Sequence, residues 1–588
     1  MTAWTAPGYR APMAPSHPSI HRPATSAASD PLTRRTVLGS VLALAGAGAL
    51  GCVGRGQRPG VGQTYDVLVQ GGTVYDGTGA PGVAADVGIA GGRIVAVGAL
   101  AGAQARTLID ARGLAVAPGF IDLHSHADGT LFDDPNAESV LRQGVTTVVA
   151  GQDGFSRAPR LRAPESSVAG VGSERSFGSM GAFFEAVERL SPAVNVASMV
   201  GLGTVRESVI GEENRPATPE ELARMVALVE AALAEGACGA SSGLEYTPGA
   251  FASLEELIAL CRPLGARGLV YATHMRNEDE RLLDSIDEAI AVARGAGCPL
   301  HISHLKTQGP RNWSKLDQVF ARLEHARTVE RVDLSFDRYP YTAYQTTLAN
   351  LFPAWSRDGG TDAFLARLSD PVVGERLRSA AMAKVESIGG WDNVMVSSVA
   401  HAADRAAEGQ RLGGHAAALG TSPYELAVGL LQRSRGNVGM VGFAMSEDNL
   451  VRILSHPLGM PASDGSAVAL EGATRRGHPH PRSLGTFSRV LGVYVREKKV
   501  LTLEQAIHKL SGFPAARARL KDRGLLAPGM AADVVVFDPA SVADQATYAH
   551  PFAYATGVRA VLVNGALALR DGERGPHRAG RPLRLTAG

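Results

Sequence analysis

The chain has 588 residues, 45% of them hydrophobic and 20% charged, the balance of an ordinary globular protein long enough for more than one domain. Its 58 basic and 57 acidic residues leave a formal charge of +1, which gives no electrostatic reason to expect nucleic acid or an anionic surface as partner. Four cysteines in a chain of this length do not make a disulfide framework.

Residues 1–63 are rich in Ala, Pro, Ser and Thr and read as a targeting segment with a linker. Arg34 and Arg35 precede an apolar stretch from Val37 to Leu50 that is too short to span a bilayer comfortably but right for a signal h-region. The order is that of a twin-arginine export signal, so a periplasmic or cell-surface location is expected. Cys52 follows Ala49-Leu50-Gly51, a loose lipobox, which leaves lipid attachment at Cys52 and plain cleavage as alternatives. Twin-arginine cargo folds before export, and Cys238, Cys261 and Cys298 are each flanked by small or apolar residues. They are expected as buried free thiols.

From Tyr65 to Ala117, short β-branched runs alternate with the glycine pairs Gly71-Gly72 and Gly91-Gly92, the pattern of a small antiparallel sheet. Ala532 to Pro539 and Val558 to Gly565 repeat it near the other end. Residues 64–117 and 512–588 are therefore expected to share one small β-sandwich. Residues 118–511 change texture: Gly144 to Ala150 reads as strand, Pro219 to Glu235 as helix, Gly268 to His274 as strand, Leu282 to Gly295 as helix and Pro299 to His304 as strand. Such alternation predicts an α/β chain built on a (β/α)8 TIM-like barrel. An insertion is expected at about 351–446, where Ala- and Arg-rich helices (Asp362 to Leu368, Val373 to Ile388) separate the strands.

A barrel gathers polar residues from its strand ends at one mouth. His124 and His126 end the run Pro118-Gly-Phe-Ile-Asp-Leu-His-Ser-His, and in an extended chain residues two apart turn to one face, so both imidazoles reach one metal. His274 and His304 each close an apolar strand, and Asp153 stands just past the strand ending at Ala150. His301 and His456 read as ordinary core or surface histidines. Asp464, in Pro461-Ala-Ser-Asp464-Gly465, would by itself be a turn residue. Four imidazoles and two carboxylates at five strand ends form an inventory for one or two divalent ions.

Further segments appear in order along the chain: Ser242-Gly-Leu-Glu-Tyr246-x-Pro-Gly249, Tyr271-x-Thr-His-Met-Arg276-x-Glu278, Ser303-His-Leu-Lys306, Asp337-x-Tyr-Pro-Tyr341, Ser463-Asp-Gly, His480-Pro-Arg482-x-x-Gly-Thr-Phe487 and Arg523-Gly-x-Leu-x-Pro-Gly-Met-x-Ala-Asp533. From about Tyr65 to Gly565 this resembles the amidohydrolase superfamily, and within it the N-acyl-D-amino-acid deacylases, or D-aminoacylases. The resemblance implies hydrolysis of an N-acyl-D-amino acid to a carboxylate and a free D-amino acid, with no nucleic-acid partner. It implies a divalent metal, zinc first and manganese, iron or cobalt as alternatives, held by His124, His126, Asp153, His274, His304 and Asp464. Asp464 takes the role of catalytic base. Tyr246 and Tyr339 resemble the family's substrate-contacting tyrosines. Lys306 and Arg276, each two residues past a ligand, and Arg482 are the cationic candidates for the substrate's α-carboxylate.

Two departures stand out. Gln152-Asp153-Gly154 occupies the place of the family's Asn-Cys-Gly, and Gly201-Leu202-Gly203-Thr204 that of Gly-His-Gly-Thr. A carboxylate is a harder ligand than a thiolate, so Asp153 is expected to bridge two metals with less selectivity for zinc. The alternatives are a D-aminoacyl dipeptidase, a cyclic amidase of the dihydropyrimidinase or dihydroorotase kind, and a catalytically silent binding protein on the same fold. Gly236 to Gly243 lacks the lysine that the cyclic amidases carboxylate as a metal bridge, and a silent protein has no reason to keep every ligand.

Overall fold

The computed structural model describes residues 64–161 and 175–585; the expected signal segment, with Arg34, Arg35 and Cys52, lies outside the described residues. Strand Thr64–Val74 pairs antiparallel with Val83–Ala90 and parallel with Gln104–Asp110 and Ala115–Pro118. Ala115–Pro118 then pairs antiparallel with Val534–Phe537, which continues to Val558–Val563 and Ala566–Arg570. Strands from both ends of the chain thus lie in one nine-stranded sheet. Val534 and Val536 pack with Val67, Ile89 and Ile94, whereas Val535 and Phe537 join Phe120, Val145 and Phe487 in the main core. A strand covered on both faces needs an apolar residue at every position, and Val534–Phe537 supplies it.

The central body runs as parallel strands: β1 (Phe120–Asp122), β2 (Val145–Ala150), β3 (Asn195–Ser198, continued by Val200–Gly201), β4 (Gly239–Gly243), β5 (Val270–His274), β6 (Leu300–Ile302), β7 (Leu334–Arg338) and β8 (Gly459–Pro461). Each pairs with the next in this order. Past the strand ends, Asp464 N–H donates to His124 O (2.8 Å) and His126 N–H to Gly465 O (2.8 Å), bringing the chain after β8 onto the chain after β1. Helices Pro219–Ala234, Leu254–Arg267 and Leu282–Ala296 alternate with the strands. A Thr218–Glu221 capping box starts the first, and Gly268 at φ +62° ends the second in a conformation that favours glycine. The α/β order fits a TIM-barrel-type fold.

Between β7 and β8 the chain makes a separate layer. Val438–Phe443 lies between Ala343–Thr347 and Val394–Val399 in an antiparallel sheet, and helices Gly360–Ser369, Pro371–Ser387 and Pro423–Arg433 accompany it. Leu348, Phe352, Phe364, Leu377, Val396 and Leu430 form its own core. Its first strand begins at Ala343, ahead of Leu351; the polar run Ala-Tyr-Gln-Thr-Thr carries no alternation that marks it as a strand. Cys238, Cys261 and Cys298 are free and buried, and burial pushes the Cys238 thiol up to about 12. Among the described residues no helix is long and apolar enough to cross a membrane.

One buried polar network ties the terminal sheet to the strand body. Asp533 pairs with Arg523, accepts from Asn195 Nδ2 (3.0 Å) and accepts from Asn564 N (2.6 Å). Arg523 Nη2 also donates to Asn564 Oδ1 (2.9 Å). Replacing Arg523 by Met leaves Asp533 buried and unpaired, which costs about 3–5 kcal/mol. Urea unfolding should show the loss as a lower midpoint at an unchanged m-value.

Candidate metal centre

Six side chains expected at the strand ends converge. His124 Nε2 lies 3.4 Å from Asp153 Oδ1 and 3.7 Å from Asp464 Oδ1. His126 Nε2 lies 3.1 Å from Asp464 Oδ1 and 3.5 Å from Asp153 Oδ2. On the other side of Asp153, Oδ2 is 3.5 Å from His304 Nε2 and 3.8 Å from His274 Nδ1, and those two nitrogens are 2.9 Å apart. Two ligand groups result, His124/His126/Asp153/Asp464 and Asp153/His274/His304, with Asp153 in both. Bonds of about 2.0–2.2 Å around one tetrahedral ion place ligand atoms roughly 3.4 Å apart, which these spacings match. His124 Nε2 and Asp153 Oδ1 are buried and find no hydrogen-bond partner, so a cation fits where they face each other.

The local backbone differs from the extended geometry read from the sequence. β1 stops at Asp122, yet Ser125 still bridges Gly465 in parallel, and that bridge keeps the flanking His124 and His126 on one side. β6 stops at Ile302, and His304 sits at φ +36°. Asp153 (φ +53°) and Asp464 (φ +48°) share this left-handed region, which non-glycine residues avoid at a cost of roughly 1–3 kcal/mol each. Hydrogen bonds hold two of them: His304 N–H donates to Asp337 Oδ1 (2.8 Å), and Asp464 N–H to His124 O (2.8 Å).

Asp337, the first residue of the Asp337-x-Tyr-Pro-Tyr341 motif, organises the imidazoles. Its Oδ2 lies 3.2 Å from His124 Nδ1 and 2.8 Å from His301 Nε2. Burial would raise its pKa, but His124 and His301 outweigh burial and hold Asp337 well below the carboxylate range. An ionised carboxylate only accepts, so His124 carries its proton on Nδ1 and turns the Nε2 lone pair to the cation position. His301, read as an ordinary histidine, is this buttress: its Nδ1 meets Ser335 Oγ at 2.7 Å. In the second group His274 has an equivalent support: Glu245 Oε2 lies 3.1 Å from its Nε2, leaving Nδ1 for metal. At His304, Nδ1 is shared between Glu278 Oε1 (3.0 Å) and the donating Lys306 Nζ (2.8 Å). Both glutamates lie inside the Ser242–Gly249 and Tyr271–Glu278 motifs. The histidine ligands' need for a carboxylate partner was the signal that could have singled them out.

The substrate candidates divide. Arg482 Nη1 donates to Asp464 Oδ2 (2.7 Å), and its guanidinium lies over the Tyr339 ring at 4.9 Å. Tyr339 is fully buried with no partner for its hydroxyl. Tyr246 packs its ring 4.6 Å from that of His274. Lys306 does reach the cluster, but its Nζ is held by Glu278 (2.5 Å) and His304 Nδ1 (2.8 Å). Arg276 does not follow its ligand's side of β5, because the strand ends at His274. It is spent on Glu288 and on the carbonyls of Ala250 and Ala252.

Burial lowers an imidazole's pKa, yet Asp153 and Asp464 outweigh it and hold His126 at about 9. At His274, Glu278, Asp153 and Glu245 outweigh burial and hold the ring at about 10. The carboxylate field that favours a proton here favours a divalent cation equally. Between neutral pH and about 9, the metal-free chain therefore carries on His126 a proton that an incoming ion must displace. Zinc affinity should rise with pH through that window, with proton release visible by calorimetry in buffers of different ionisation enthalpy. Asp337→Asn removes the acceptor that fixes His124, and metal affinity should fall about 10–100-fold by competition with a chromogenic chelator.

Residues 107–568 match the amidohydrolase family. The D-aminoacylase of Alcaligenes xylosoxydans xylosoxydans is 37% identical over 528 residues, 89% of this chain and 99% of that protein. An N-acyl-D-glutamate deacylase from Bordetella bronchiseptica, solved with zinc and a phosphonate mimic of the tetrahedral intermediate, is 35% identical with a TM-score of 0.77, over 89% of this chain and all of that one. A D-aminoacylase structure addressing the role of its binuclear metal centre is 37% identical with a TM-score of 0.74, again over 89% and 100% of the two chains. With its candidate ligand residues drawn together at the strand ends and likeness along nearly its whole described length, the chain belongs to the amidohydrolase family, in the branch of the D-aminoacylases and N-acyl-D-amino-acid deacylases.

Proposed function

We propose that the centre holds two divalent ions, one among His124, His126, Asp153 and Asp464 and the other among Asp153, His274 and His304. The observation that carries this is the membership of Asp153 in both groups, beside the unpartnered His124 Nε2. Zinc is the first choice, and the carboxylate in place of a thiolate admits manganese, iron or cobalt. A metal held there polarises a carbonyl and lowers the pKa of water towards about 7. The protein is a metal-dependent hydrolase of the linear amide in N-acyl-D-amino acids, releasing a carboxylate and the free D-amino acid.

The chain's own groups divide the remaining tasks. Asp464 is the general base: it takes the proton of the attacking water and returns it to the leaving nitrogen. Burial would protonate it, but Arg482 and His124 outweigh burial and keep it ionised, the state a proton acceptor needs. Arg482 occupies Oδ2 and leaves Oδ1 towards the ligand cluster. Tyr339 and Arg482 face the substrate's carboxylate, and Tyr246 donates from the His274 side. The order of Arg34-Arg35 and the Val37 to Leu50 stretch supports twin-arginine export, with Cys52 as the lipid-attachment candidate. The pairing of β1 to β8, with the bonds from Asp464 and His126, supports a closed (β/α)8 barrel over 118–511 with the layer between β7 and β8 as its insertion. The cluster joining Val67, Ile89, Val534 and Leu562 supports a terminal β-sandwich.

A panel of N-acetyl-D- and N-acetyl-L-amino acids, run on chelated and metal-restored enzyme, should show metal-dependent turnover of D-substrates. Absence of turnover with every D-substrate would sink the reading. Asp464→Asn should keep the fold yet lower kcat by roughly 10²–10⁴-fold at saturating metal; a near-wild-type rate removes Asp464 from the role.

A further inference from the structure

The layer between β7 and β8 sends a line of side chains to the Tyr246 hydroxyl. Arg357, at the end of the turn Ala354–Arg357, places Nη1 2.5 Å from Asn350 Oδ1. Asn350 Nδ2 lies 2.9 Å from Thr346 Oγ1, and Thr346 Oγ1 lies 3.3 Å from Tyr246 Oη. The inventory of donors fixes the direction of every bond. A guanidinium only donates, so Asn350 must turn its carbonyl oxygen to Arg357 and its amide nitrogen to Thr346. That nitrogen only donates, so Thr346 Oγ1 accepts and passes its single hydrogen to Tyr246. Tyr246 Oη becomes an acceptor, and its own hydrogen remains to be given.

We propose that Arg357, Asn350 and Thr346 are positioning residues that set Tyr246 as a one-way donor to a substrate oxygen beside His274. The inference rests on the reading of Tyr246 as a substrate contact. Arg357 fixes the same corner a second time, because its Nη2 donates to Glu245 O (3.1 Å), the residue before Tyr246. Glu245 in turn holds His274 through Nε2 (3.1 Å). A chain of bonds that begins on a cation polarises each later member, so the phenol gives its hydrogen more readily than an isolated one. The layer between β7 and β8 thereby reaches the chemistry through a hydroxyl, with no ligand of its own.

The test is a double-mutant cycle on the metal-loaded enzyme with Thr346→Val, Thr346→Ser, Tyr246→Phe and the pair Thr346→Val/Tyr246→Phe. With the N-acetyl-D-amino acid that wild type hydrolyses best, Thr346→Val should lower kcat/KM about 10-fold and Thr346→Ser should restore it to within about 2-fold. In the Tyr246→Phe background Thr346→Val should cost nothing more. An equal cost in both backgrounds, or none in wild type, overturns the proposal. Absence of any hydrolysis by wild type would instead overturn the proposed reaction, and the relay is then read without substrate. The ¹³Cζ-tyrosine resonance of Tyr246, assigned by its absence in Tyr246→Phe, should move in Thr346→Val and return in Thr346→Ser. A resonance that stays in place in Thr346→Val overturns the relay.

Discussion

Asp337 is the constraint on which the centre depends. One carboxylate on β7 accepts from the His124 ring after β1, from the His301 ring on β6 and from the His304 backbone past β6. It therefore sets a tautomer at one candidate ligand and a backbone turn at another, and the two belong to different candidate groups. No residue with a single strong contact could coordinate the two halves in this way. Ser335, two residues earlier on the same strand, finishes the arrangement by meeting the far nitrogen of His301.

Around that anchor the centre is an electrostatic trap. Asp153, Asp464, Glu245, Glu278 and Asp337 press on four imidazoles in a region nearly closed to water, and His124, His126 and His274 tend to take up protons there. Buried like charges are tolerated only when opposite charge neutralises them, and side chains provide only part of it through Arg482 and Lys306. The charge that is left suits divalent cations. Asp153, which stands in this chain where the resembled pattern has a thiolate, shifts the hardness of the trap without changing its charge, because both ligands are anionic when bound.

Much of this was legible in the sequence, and the limits of legibility are physical. His124, His126, Asp153, His274 and His304 were legible because each closes or follows an apolar strand, whereas Asp464 by itself reads as a turn residue and was picked out only by the resemblance. The strands Val145–Ala150 and Val270–His274 and the helix Pro219–Ala234 lie where apolar periodicity puts them, within two residues. What the pattern could not carry was rotation after a strand ends. Arg276 and Lys306 are both two residues past a histidine, yet one turns to Glu288 and the other folds back on Glu278. Asp337, Glu245 and Glu278 were visible as motif letters, but a carboxylate that orients a ligand looks in one dimension like any other acid. His301, read as an ordinary core or surface histidine, is indeed a hydrogen-bonded core residue, but its place between Ser335 and Asp337 has no spacing signature.

The left-handed backbone at Asp153, His304 and Asp464 has a further consequence. Three of the six proposed ligands sit where the polypeptide would rather place glycine, so the fold holds its most demanding loops under tension at the one place it cannot relax them by mutation without losing a ligand. Ions that tie these loops together offset the tension. Stability and metal supply are then thermodynamically linked, and the folded population becomes a function of free metal concentration. For such a chain, scarcity of metal is a folding problem before it is a catalytic one.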